Sequence, residues 1–232
     1  LSLFFDIKPK PNINNFVIGK NGELIEILRG FCSLNRSERF IYIWGCAGTG
    51  KSHLLSAISE LSRPSSPLQF FFRQHGKIPK WNHDNSGGLV LVDDVQHLSS
   101  DNQHRLFEWY NELRSGDGAL VVAGDGPPAC LDLREDLLTR LGWGLVYRVH
   151  PLTDEDKYHA MARYSKERGF NLTQDVINYV LKYNSRDLSF LLSTLDGLDY
   201  YSIETRRRVT VPLVREFLAI RSDHCRYYPN TF

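Results

Sequence analysis

Cysteine is scarce: Cys32, Cys46, Cys130 and Cys225 are far apart in 232 residues, and no C-x-x-C pair occurs. Neither a disulfide framework nor a thiolate zinc site is expected from that spacing. The eight histidines form no H-E-x-x-H and no Cys/His cluster, so neither structural nor catalytic zinc is expected. No apolar run approaches the roughly 18 residues that span a bilayer, and no segment resembles a signal peptide. A membrane role is not expected. Reduced thiols fit a cytoplasmic protein. The net charge of +1 provides no global attraction for nucleic acid, and neither internal repeats nor low-complexity segments occur. Hydrophobic content of 42% and charged content of 24% are those of an ordinary soluble globular chain.

Against this plain background stands Gly45-Cys46-Ala47-Gly48-Thr49-Gly50-Lys51-Ser52, a G-x-x-x-x-G-K-S run. It follows the β-prone Phe40-Ile41-Tyr42-Ile43-Trp44 and precedes a helix-compatible stretch from His53 to Ile58. Glycines let consecutive backbone N–H groups converge on a phosphate, the helix N-terminus adds partial positive charge, and Lys51 adds a full one. Ser52 is placed to hold Mg²⁺. A disulfide at Cys46 would obstruct such a ligand. The loop, with His53 at its helical end, is therefore the candidate nucleotide site.

Five apolar, β-compatible runs, at 40–44, 68–72, 89–93, 119–123 and 145–149, alternate with helix-compatible stretches. This alternation predicts an α/β domain with a five-stranded parallel sheet covered on both faces. Ligands of such folds bind at the carboxyl ends of the strands, where the glycine-rich loop lies. After Pro151 the β-type runs stop. Thr153 with Asp154, Glu155 and Asp156 opens a helix ending near Gly169. Others start at Thr173, at about Arg186 and after Pro212, with a frayed tail beyond Arg221. The expected organisation is an N-terminal peptide and linker at 1–15, an α/β nucleotide-binding domain at 16–151 and an all-helical lid at 152–232.

Leu89-Val90-Leu91-Val92-Asp93-Asp94 is an apolar strand ending in two carboxylates, expected beside the phosphate loop. Asp93 is the candidate Mg²⁺ ligand and Asp94 the candidate that polarises an attacking water. Taken alone, two aspartates at a strand end are also ordinary turn chemistry.

The chain as a whole resembles the AAA+ ATPases and, among them, the family of the bacterial replication initiator DnaA with its shorter Hda branch. The resemblance lies in Phe16-Val17-Ile18-Gly19-Lys20, the Gly45–Ser52 loop, Leu91–Gln96, Ala123-Gly124-Asp125-Gly126-Pro127-Pro128, Arg140-Leu141-Gly142-Trp143-Gly144 and Pro151–Lys157. The Gly-Asp-x-Pro-Pro and Pro-Leu-x-Asp-Glu-Asp-Lys wording is closer to Hda.

That resemblance implies roles that spacing alone does not supply. Phe16, Val17, Ile18 and Gly19 would wrap the adenine of ADP or ATP. Asp125 would be a first sensor of the terminal phosphate, and Arg186 a second sensor acting from the lid. Arg140 would be an arginine finger reaching into a nucleotide bound by a neighbouring subunit; read by itself it is rather an arginine satisfying helix-end carbonyls. Leu1-Ser2-Leu3-Phe4 resembles the end of a Q-L-x-L-F peptide that docks in the DNA polymerase sliding clamp, with Leu1, Leu3 and Phe4 as anchors. The implied partners are DnaA, the clamp, and DNA mainly through the clamp, and a homodimer is allowed. The implied activity is to promote hydrolysis of DnaA-bound ATP, with ADP as the working ligand at the chain's own site. Asp94 keeps open a motor-type ATPase of the helicase-loader kind. The short, Gly- and Pro-interrupted segment from Arg73 to Gly88 is a poor candidate for the initiators' helical insertion. Arg206-Arg207-Arg208 reads as a solvated helix end.

Overall fold

The computed structural model describes residues 10–32, 38–62, 69–72, 78–80, 87–183 and 187–227, with side chains described as far as Arg221. The chain divides into two compact units, Leu1–Pro151 and Leu152–Phe232.

In the first unit the five apolar runs become β1 (Phe40–Trp44), β2 (Gln69–Phe72), β3 (Leu89–Val92), β4 (Ala119–Gly124) and β5 (Leu145–Arg148), all parallel, in the order β2-β3-β4-β1-β5. Period-two side-chain alternation sends successive residues to opposite faces. Ile41, Ile43, Leu89, Leu91, Val121 and Ala123 join one core with α1 (Gly22–Phe31) and α2 (Lys51–Ser62). Tyr42, Val90, Val92, Leu120 and Val122 join the other with α3 (Ser100–Ser115) and α4 (Glu135–Leu141). Each fully buried aliphatic side chain contributes about 1.5–3 kcal/mol, so these two layers hold the rim rigid.

β4 lies between β1 and β3, pairing Trp44↔Gly124 on one side and Val92↔Val122 on the other. Parallel register still brings the carboxyl ends of β1, β3 and β4 to one rim, because all three strands run the same way.

The second unit contains α5 (Asp154–Glu167), α6 (Gln174–Tyr183), α7 (Leu188–Thr205) and α8 (Val211–Tyr227) around a core of Met161, Val176, Ile177, Val180, Leu191 and Leu195. α5 starts with a reciprocal cap: the Asp156 N–H donates to Thr153 Oγ1 at 3.1 Å, and the Thr153 N–H donates to Asp156 Oδ2 at 2.9 Å. α7 begins at Leu188, two residues after the expected start at about Arg186, since Asp187 is its N-cap and accepts from the Phe190 N–H at 2.9 Å. Two further boundaries differ. α8 includes Pro212 in its first turn, where a missing N–H costs nothing, and its backbone stays helical beyond Arg221 to Tyr227. No described helix is long and apolar enough to cross a membrane.

Candidate nucleotide site and arginine face

The glycine-rich loop leaves β1 with the Gly45 N–H donating to Gly124 O at 3.3 Å, which anchors it to the end of β4. Thr49 Oγ1 donates to Cys46 O at 2.9 Å and closes the turn. Gly48 and Gly50 have φ of 75° and 95°, a backbone region that L side chains rarely adopt. At Gly50 space is restricted too: a Cβ would lie 2.8 Å from Phe16 Cε2. Lys51 is buried, and its Nζ donates to Gly45 O at 2.6 Å and Cys46 O at 3.1 Å. The ammonium is thus folded across the cradle onto carbonyls that a phosphate oxygen would replace as its partner. The neighbouring Ser52 is exposed at the start of α2.

Asp93 and Asp94 leave β3 in different ways. Asp93 is 3% exposed, its N–H donates to Phe72 O at 2.8 Å, and one carboxylate oxygen accepts from the Asp94 N–H at 3.1 Å. Its second oxygen accepts no hydrogen bond from any described residue. Asp94 has φ 52°, in the left-handed region, and accepts from Gln96 Nε2 at 3.3 Å while a 3-10 turn, Val95–His97, follows. A hard divalent cation with phosphate ligands suits this donor set, with Asp93 and Ser52 supplying oxygen. Among the described residues no group of three or more metal-ligating side chains assembles without such a ligand.

Asp125 is exposed, immediately after β4. Beneath it the buried Tyr42 hydroxyl donates to Gly126 O at 2.7 Å. Burial, with the nearby Asp125 carboxylate second, pushes the Tyr42 phenol well above its ordinary range.

Of the apolar segment before α1, Phe16 is buried against the loop and lies 5.6 Å, ring to ring, from His53, whereas Ile18 is 40% exposed. Val17 lies between them and Gly19 turns the chain with φ 50°. The segment is held by contacts that sequence reasoning missed. His53 Nε2–H donates to Asn12 O at 3.1 Å, and burial lowers the imidazole pKa, partly countered by that bond. Asn21 pairs with the backbone of His150, donating to its carbonyl at 3.0 Å and accepting from its N–H at 2.7 Å. An asparagine before a helix reads as a cap, and no local signal announces a partner 129 positions away.

Arg140 lies on another part of the unit, in the last turn of α4. Its Nε donates to Asn111 Oδ1 at 3.1 Å, and its guanidinium carbon stands 3.9 Å from the Trp143 ring centroid and 5.5 Å from that of Phe107. No carboxylate among the described residues pairs with it. Among the described residues no backbone carbonyl accepts from its guanidinium, so the helix-end reading does not describe this side chain. None of these contacts involves the glycine-rich loop, so the structure gathers loop, Asp93, Asp125, Phe16 and His53 along one rim and leaves Arg140 apart. Leu1, Leu3, Phe4 and Arg186 lie outside the described residues.

A family model of the Hda lid domain matches residues 154–218, and a family model of the bacterial DnaA ATPase domain matches residues 80–148. Among solved structures, domain III of the Thermotoga maritima replication initiation protein DnaA is similar with a TM-score of 0.73 at 22% identity, over 92% of this chain and 98% of that one. AMPPCP-bound DnaA from Aquifex aeolicus gives 0.71 at 24% identity, over 86% and 68% of the two chains. A Thermotoga maritima RuvB mutant gives 0.69 at 11% identity, over 90% and 72%. Likenesses at such identities establish the fold.

Proposed function

Because this chain belongs to the Hda/DnaA-related AAA+ family, we propose that it is a cytoplasmic regulator of replication initiation that binds adenine nucleotide and promotes hydrolysis of DnaA-bound ATP. The observation that carries this reading is Arg140: a guanidinium braced by Asn111 and Trp143, without a carboxylate partner among the described residues, on a chain whose lid is of the Hda type. A planar donor fork offered to a neighbour's nucleotide stabilises charge developing on the transferring phosphoryl group, an effect worth about 10³–10⁵ in rate.

The chain's own loop would hold the β-phosphate of ADP, or the β- and γ-phosphates of ATP, on backbone N–H groups and Lys51. AMPPCP in the similar Aquifex aeolicus DnaA supports an adenine nucleotide as the ligand. Mg²⁺ held by Ser52 and Asp93 would neutralise phosphate charge. Phe16 to Gly19 would border the base, with Asp125 and Arg186 reporting the terminal phosphate from sheet and lid. Leu1, Leu3 and Phe4 would tether the protein to the sliding clamp, and so to DNA.

The deciding experiment measures hydrolysis of DnaA-bound ATP with this protein, with and without DNA-loaded clamp. Stimulation that requires both, and that Arg140→Ala removes, is expected. Undiminished turnover with Arg140→Ala would overturn the finger. One observation favours a second reading: Asp94 remains as a second acid at the rim, tied to Gln96 alone among the described side chains. Appreciable steady-state ATP hydrolysis by the isolated protein, lost in Asp94→Asn, would make it a motor-type ATPase instead.

A further inference from the structure

Trp143 is 53% exposed although it is among the largest apolar side chains of the protein. Its backbone is nonetheless held on both sides. The Trp143 N–H donates to Arg140 O at 3.1 Å, and the next residue, Gly144, packs so closely on β1 that a Cβ there would lie 2.3 Å from Phe40 O. An indole anchored this firmly yet left half in solvent is not explained by core packing. Two cations use it: the guanidinium carbon of Arg140 lies 3.9 Å from the ring centroid and that of Arg114, from α3, lies 4.6 Å away. Neither arginine has a carboxylate partner among the described residues. Two guanidinium groups beside one ring repel each other, so the arrangement favours an anion arriving from outside.

We propose that Trp143 is the positioning residue of Arg140, an aromatic platform that holds the guanidinium plane in one orientation toward an anionic phosphate carried by a protein partner. A long arginine loses about 2 kcal/mol of rotamer freedom when it is fixed. Stacking on Trp143, together with the Asn111 bond to Nε, does this fixing before the partner arrives and leaves the terminal nitrogens available. The catalytic consequence rests on the reading of Arg140 as a finger; the positioning itself does not.

Two readouts separate these claims. In the first, the Arg140 Nε–H resonance of the full chain is assigned by Arg140→Lys and its ring-current displacement is followed. The displacement is expected to persist in Trp143→Phe and to vanish in Trp143→Leu; an unmoved resonance in Trp143→Leu would overturn the positioning role. In the second, hydrolysis of DnaA-bound ATP is measured with DNA-loaded clamp. Trp143→Leu should lower the maximal stimulated rate about 2- to 30-fold, the range of a cation–π contact, without shifting the half-saturating concentration, and Trp143→Phe should restore it. Arg114→Gln should change the rate by less than about 2-fold; a loss as large as that of Trp143→Leu would mean that the ring acts through Arg114 and would overturn the proposal. Full stimulation by Trp143→Leu while Arg140→Ala abolishes it would do the same. Full stimulation by Arg140→Ala would instead remove the finger, with the resonance still deciding the platform. Trp143→Gln serves as the second variant if the leucine substitution does not fold.

Discussion

Tyr42 and Gly124 fit each other by omission: the Tyr42 hydroxyl occupies the space that a Cβ on Gly124 would need, 2.0 Å from it, and from there donates to Gly126 O at 2.7 Å. The bond crosses from β1 to the turn that carries Asp125. Tyr42→Phe keeps the ring and removes the bond. The carbonyl left behind costs about 1–3 kcal/mol of stability. If Asp125 senses the terminal phosphate, ATP affinity should fall several-fold relative to ADP, as checked by calorimetry with both nucleotides; an unchanged ratio would leave the bond a purely structural one.

Lys51 links the loop's resting state to its proposed ligand. Its ammonium lies on Gly45 O and Cys46 O, and would move from these carbonyls to phosphate oxygens on binding. Lys51→Ala should therefore weaken ADP and ATP binding roughly 10- to 100-fold, the worth of a charge-assisted bond. Titration calorimetry tests this, and wild-type affinity in the variant would remove the loop from nucleotide binding.

His53 predicts an acid-side loss of stability. Its folded pKa is lowered, chiefly by burial, so between that value and the ordinary histidine range near 6.5 the unfolded chain binds the proton more readily. The contribution of the neutral imidazole is thus complete above that range and is lost as pH falls through it toward the folded pKa. Urea midpoints at pH 7.5 and 5.5 should converge in His53→Gln relative to the wild type. Equal pH dependence in both proteins would count against this assignment.

Trp109 is the central plug beneath the outer strands. It is fully buried, meets the rings of Phe70 and Phe72 edge-on at 4.9 and 5.8 Å, and donates from Nε1 to Pro79 O at 3.0 Å. Trp109→Ala should cost about 3–5 kcal/mol and lower the melting temperature by roughly 10 °C in scanning calorimetry. A shift within a degree or two would show that this side of the sheet collapses to fill the cavity.

The legible part of the site was local. Glycine spacing between an apolar run and a helix located the phosphate loop, and the acids after β3 announced the second rim element. Strand order was not legible: β4 intervenes between β1 and β3, and runs of Val, Leu and Ile specify burial on both faces and not which strand is next. Asn21, Asn12, Asn111 and Tyr42 were also silent, because each contacts backbone or side chain far away in the chain and an asparagine or tyrosine alone carries no direction.

By itself the sequence determined the α/β alternation, the helical lid after Pro151 and the loop that can hold a phosphate, for these depend on period, capping and chirality within a few residues. Only the tertiary structure decided that Arg140 stands on Trp143 with Asn111 at its Nε, and that Tyr42 reaches under the Asp125 turn. Those relationships arise where separate helices and strands are pressed together by burial, and their partners are set by packing over distances that no local pattern encodes.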